Sequence, residues 1–166
     1  MLHLAYLGES KKLEIPDRAA KFLIVRKPVS GIPAGFLHIP QLSPSLNLFD
    51  KTQIWKKKIY QSEDVNYLHS LDIGELEDGV WWHLYKKEFI SELVERPDMV
   101  RAIERLADKL DKGVEVYLFC YCKNVCRCHR GLVGEHMESK GYLVDFRKQE
   151  EPKPQETLPA QLSLFD

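Results

Sequence analysis

The sequence carries no excess of either charge. Twenty-four Lys and Arg oppose 25 Asp and Glu, a formal net charge of −1 at pH 7. No global field draws such a chain to a polyanion, so any contact with nucleic acid has to be local. Long apolar runs are missing as well. The longest stretch without a charged residue, Pro28 to Phe49, contains Pro28, Pro33, Pro40 and Pro44 among Ser, Asn and Gln, which a membrane helix tolerates poorly. The opening MLHLAYLGESKK has neither the basic start nor the long apolar centre of a secretory signal. The expectation is a cytoplasmic protein with no membrane partner. Cysteine is absent outside one window, Cys120, Cys122, Cys126 and Cys128. A disulfide framework spreads its cysteines to staple distant loops, so this cluster points to metal, thiol chemistry or packing.

What is present is enough chain, 166 residues, for one domain of ordinary size with a substantial core. LHLAYLG (Leu2 to Gly8) and KFLIVRK (Lys21 to Lys27) are short apolar runs with turn-forming flanks, the pattern of strands. The proline-rich segment that follows predicts an extended, ordered loop, anchored by Phe36, Leu37, Ile39 and Leu42. TQIWKKKIY (Thr52 to Tyr60) predicts a helix with Ile54, Trp55 and Ile59 inward. Trp82, Tyr85, Phe89 and Leu93 recur at spacings of three and four, the stripe of an amphipathic helix. Pro97 begins a second one, which Lys112-Gly113 ends.

VEVYLFCYC (Val114 to Cys122) is β-branched and aromatic on both faces, as a buried central strand requires. HRGLVGEHMESKG then predicts a helix ending at Gly141, before a last strand from Tyr142 to Phe146. This βαβ ending predicts an α/β fold, a three-layer arrangement with a mainly parallel sheet and flanking helices, over residues 1–146. Residues 147–160, RKQEEPKPQETLPA, are charged and proline-punctuated. They hold too little apolar surface to offset the entropy of ordering them, which predicts a disordered tail serving as a flexible linker. It ends in QLSLFD, residues 161–166, an apolar tip on a polar tether.

Chemistry concentrates in CYCKNVCRCHR, Cys120 to Arg130. In an open α/β sheet, ligands bind where strands end and helices begin, because loop backbone and helix N-terminal amides converge there. Cys128, His129 and Arg130 open the predicted helix, where positive partial charge favours a thiolate or a bound anion. Cys128 or Cys120 beside His129 is a candidate catalytic thiol. Arg130, with Arg127 and Lys123, is a candidate anion site. Zinc or an iron–sulfur cluster is an open alternative, since the Cys and His side chains are soft ligands, although their spacing is not that of paired C-x2-C knuckles. Packing is the bland alternative, favoured for Cys122 and Cys126.

The strand LFC, an eight-residue step and CHR opening a helix resemble the hallmark of a bacterial and phage family, domain of unknown function 488 (DUF488). IPQLSPSLNLFD resembles that family's Pro-Ser segment, here with Pro44 and Ser45. WWHLYKKEFISELVERPDMVRAIERLADKL resembles its paired helices, and IVRKP its Arg-containing strand. The resemblance implies an α/β fold and a site at Cys120, Cys128, His129 and Arg130, without a settled reaction. Many members have Glu where this chain has Cys122.

QLSLF resembles the peptide by which bacterial polymerases and repair proteins dock on the β sliding clamp, the β subunit of DNA polymerase III. That resemblance implies a clamp-binding motif of Gln161, Leu162, Ser163, Leu164 and Phe165, with Gln161 at the mouth of a pocket, Leu162 at its edge, and Leu164 with Phe165 in an apolar cleft. The internal near-copy SLNLFD, Ser45 to Asp50, lacks the leading Gln and predicts packing. The function expected is therefore an accessory protein of bacterial or phage DNA replication or repair, recruited to the clamp, whose Cys-His-Arg corner handles DNA or a nucleotide. Two alternatives stand beside it, a thiol- or metal-dependent enzyme acting on a nucleotide-like substrate and a non-catalytic protein that blocks the clamp.

Overall fold

The apolar runs pair into a single sheet. The computed structural model describes residues 1–57 and 80–146. The predicted linker and tip, and Lys58 to Tyr60 of the predicted TQIWKKKIY helix, lie outside the described residues. The strands are β1 (Leu2–Tyr6), β2 (Ala20–Leu23), β3 (Leu37–His38), β4 (Val116–Cys120) and β5 (Val144–Asp145). They lie in the order β3-β2-β4-β1-β5, and every pairing is parallel. β4 is central and buried at all five positions, which is why its sequence is apolar without alternation. Four α-helices are described: α1 (Leu46–Lys56), α2 (Val80–Glu95), α3 (Pro97–Asp111) and α4 (His129–Ser139).

The register places Phe22, Leu118 and Leu4 on one face of the sheet. There Lys109 of α3 lies over the Phe22 ring, 5.9 Å from its centroid. On the other face Phe119 meets Phe36 of the β2–β3 connection, with ring centroids 4.9 Å apart. Right-handed crossovers put the β1–β2 connection on that same side, with Leu7, Leu13 and Ile15 packed on the core. The fold is thus α/β, with helices, parallel sheet and ordered loops as its layers.

α1 begins six residues earlier than the charge pattern predicts, because the Ser45 hydroxyl accepts the Leu48 N–H at 3.1 Å and caps it. Its inward residues are Leu48, Thr52 and Trp55, while Ile54 is exposed. The look-alike SLNLFD is the first turn of this helix, with Leu48 in the core. β3, two residues in the proline-rich loop, is too short to leave a periodic signal.

Two close approaches depend on glycine. α4 crosses β1 at Gly134, where a Cβ would lie 2.5 Å from Leu4 Cδ1. At Gly131 a Cβ would lie 2.3 Å from the Val125 carbonyl oxygen, a backbone atom that cannot rotate away. Gly131→Ala therefore forces the turn before α4 to shift, and overpacking of this kind costs about 1–3 kcal/mol. Urea unfolding should show a lowered midpoint at unchanged slope; a wild-type midpoint would mean that the turn yields freely.

Candidate active site

β2 and β4 are neighbours whose chains leave their C-terminal ends in opposite directions, β2 toward β3 and β4 across β1 toward β5. That is the switch point of an open parallel sheet, where the diverging connections open a crevice. After Cys120 the chain turns through Val125–Arg127, a short 3-10 segment capped by Asn124, whose Oδ1 accepts the Cys126 N–H at 2.8 Å. Cys128 is then extended, as a helix N-cap residue must be, and His129 opens α4. Strand end and helix start thus bring together two cysteines eight positions apart in sequence.

The sulfurs of Cys120 and Cys128 and a ring nitrogen of His129 all lie within 4.8 Å of one another. His129 Nε2 is 2.9 Å from the Ile24 carbonyl oxygen, to which it donates, so Nδ1 faces Cys128 Sγ at 4.0 Å. The ring is also held from α2, where Trp82, Tyr85 and Phe89 stack in sequence and Phe89 lies against His129 with centroids 5.9 Å apart. The predicted apolar stripe of this helix thus has a second task, which is to position an imidazole.

Cys122 Sγ lies 3.8 Å from Cys120 Sγ. The Cys122 and Cys128 thiols, followed by the nearby His129, hold Cys120 well below the ordinary thiol range although burial opposes this. The proton donors move the other way. Cys122 is pushed up to about 11 by its hydrogen bond to Cys120. Cys128 is raised by its bonds to Cys120 and Cys122 and by burial. Burial works against a charge on His129, but the Cys120 thiolate and the Ile24 carbonyl outweigh it and raise the imidazole. These shifts favour the negative charge on Cys120 and the positive charge on His129. Burial, reinforced by the neighbouring cysteines, raises Tyr85, which stays a neutral hydroxyl.

This cluster forms the floor of a cleft of about 640 Å³. Its walls carry cations, Arg26, Lys27, Lys56 and Arg127, and aromatic rings, Phe49, Trp81, Trp82 and Tyr121. The Arg26 guanidinium lies 4.5 Å from the Phe49 ring centroid, and its Nη1 is buried with no partner among the described residues. The Lys56 ammonium lies 4.6 Å from the Trp81 ring. Arg26 was legible only as the Arg of IVRKP, and the aromatic walls carried no sequence signal beyond helical spacing.

The three predicted anion-binding cations are placed apart. Arg127 lines the cleft, whereas Lys123 and Arg130 line a separate small cavity beside β1. Arg130 is buried with both terminal nitrogens used, Nη1 donating to the Cys122 carbonyl at 2.8 Å and Nη2 to that of Lys123 at 3.2 Å, while its Nε has no partner among the described residues. It holds the cysteine loop in shape. The packing expected of Cys122 and Cys126 is not found, since both are exposed. Each follows the end of β4 on an outer loop, where the core no longer reaches. Cys120, Cys128 and His129 could hold a soft ion. Two sulfurs on one tetrahedral zinc, each at about 2.3 Å, sit about 3.8 Å apart, and the His129–Ile24 hydrogen bond is the outer contact such a ligand uses.

An all-parallel α/β domain with a thiol–imidazole pair at the switch point of its sheet belongs to the class of scaffolds that take ligands at their strand ends. The chain itself is a member of the DUF488 family. Residues 5–141 match the family model DUF488-N3a, described as the active DUF488-N3 subclade. No curated protein and no solved structure matches the chain. Among the described residues no helix is long and apolar enough to cross a membrane.

Proposed function

We propose that this domain is a thiolate-dependent enzyme acting on a nucleotide unit, and that its C-terminal QLSLF carries it to the β sliding clamp as an accessory protein of DNA replication or repair. The observation that supports catalysis most is the Cys120–His129 pair on the floor of a cleft with cationic and aromatic walls. A phosphate is matched by Arg26, Lys27 and Arg127, and a base by the faces of Trp81 and Trp82. The volume falls within the range of small-molecule sites. Description of the subclade as active agrees with this reading.

In the proposed step the Cys120 thiolate attacks an electrophilic atom of the bound unit. The bond to the leaving group breaks, and that group takes the proton held by His129. Water then displaces the sulfur, with His129 as the base. A specific observation favours one further reading, a zinc-dependent hydrolase, because the three donor atoms lie close enough to share one ion. Elemental analysis of the purified protein separates the two, stoichiometric zinc supporting the second.

Binding is read by fluorescence, because Trp81 and Trp82 line the cleft. A nucleoside monophosphate should quench it in a saturable way. Arg26→Gln should weaken the affinity about 10-fold or more, the usual loss of a charge-assisted contact. No saturable binding of any nucleotide, or an unchanged affinity in the variant, contradicts the assignment.

A further inference from the structure

A second groove, of about 500 Å³, lies between β3 and α3. Its floor is apolar, with Phe22, Leu42 and Leu106, and its rim carries Arg101, Arg105 and Lys109. These three cations fall at i, i+4 and i+8 of α3, so they form one row along the helix, about 12 Å long at 1.5 Å per residue. Like charges four apart weaken a helix, and here two such pairs follow each other.

Close ion pairs are missing from the row. Among the described residues no ion pair engages Arg101, Arg105 or Lys109, whereas the neighbouring Lys112 is paired with Asp108 and Arg96 with Glu92 and Asp98. The one acid on the groove, Asp98, is thus already engaged by Arg96. What the groove offers is a row of three cations free of ion pairs beside an apolar floor. A chain of phosphates complements that track; a single free phosphate needs no row.

The groove adjoins the cleft across one short segment of chain. Gln41 and Leu42 of the Pro40–Leu42 turn line the groove, and the next two residues, Ser43 and Pro44, line the cleft. One short segment is therefore the wall shared by both. We infer that the substrate is a single-stranded nucleic acid rather than a free nucleotide, with one unit in the cleft and its neighbouring phosphates on Arg101, Arg105 and Lys109. This rests on the nucleotide reading of the cleft and names its substrate class.

The test compares thymidine monophosphate with an oligothymidylate of about twelve nucleotides, a length within the usual single-strand site sizes, on the full chain and on the triple variant R101Q/R105Q/K109Q. All three side chains lie on the rim, and circular dichroism verifies the fold. The oligomer should bind at least about 10-fold tighter than the monomer. The triple variant should lose that gain, keep its affinity for the monomer, and flatten the slope of log affinity against log salt by about 2, as three fewer displaced counterions imply. Equal affinity for monomer and oligomer overturns the inference while leaving the cleft reading intact. An oligomer affinity and salt slope unchanged in the variant also overturns it. Binding of neither probe removes the cleft reading itself. Preference for polyglutamate over the oligomer would assign the row to an acidic peptide and overturn the strand.

Discussion

Cys120→Ser abolishes the one fast thiol of this protein. At pH 6 an ordinary thiol is less than about 1% ionised, whereas Cys122, Cys128 and His129 lower Cys120 well below the ordinary thiol range. Alkylation by iodoacetamide, followed by peptide mass mapping, should find Cys120 reacting more than about 10-fold faster than Cys122, even after allowing for the lower nucleophilicity of a weakly basic thiolate. This ordering opposes exposure, because Cys122 is the exposed thiol and Cys120 the buried one. Cys122→Ala removes a donor, so the Cys120 thiol should titrate at higher pH and its rate at pH 6 should fall.

The proposed reaction needs thiolate and imidazolium together. Its rate should fall on the acid side as Cys120, whose pKa is lowered, takes up a proton, and on the alkaline side as His129, whose pKa is raised, loses one. A rate that climbs steadily through the ordinary thiol range contradicts the pairing.

Leu164→Ala with Phe165→Ala should weaken binding to the purified clamp about 100-fold or more. Burying a Leu or Phe contributes roughly 1.5–3 kcal/mol, and ordering a tethered segment subtracts from the sum. A peptide of this kind therefore binds at about micromolar affinity, about −8 kcal/mol. Losing both anchors removes roughly 3–6 kcal/mol of that, a weakening of about 100-fold or more. Isothermal titration with the full chain and the double variant reads it. Undiminished affinity in the variant, or none in the parent, removes clamp recruitment.

Much of this architecture was legible because the chain signals it through spacing. The α2 stripe, the Pro97 start of α3, the glycine after it and the apolar β4 all depend on periodicity and caps that local sequence records. α1 was misplaced because its start depends on a single hydroxyl cap at Ser45, after a proline-rich run that reads as loop. β3 exists only because β2 offers it a partner.

The same division runs through the site. Cys128 and His129 were visible as a helix opening, and Cys120 as a strand end. That Arg130 braces the loop while Arg26 faces the cleft follows from three-dimensional placement, because both are single arginines beside apolar runs. Nor does the chain's local pattern separate the pairing of Cys120 with Cys122 from core packing. It arises because the loop after β4 folds back over the strand end, which Arg130 stabilises through two carbonyls.

The most direct test of the thiolate centre is the ultraviolet absorbance of thiolate across pH in the wild-type protein and in Cys120→Ser. The arrangement described predicts one thiolate already present at pH 7, lost only on acidification and missing from the variant. No thiolate absorbance at pH 7, or an identical curve for the variant, would contradict it.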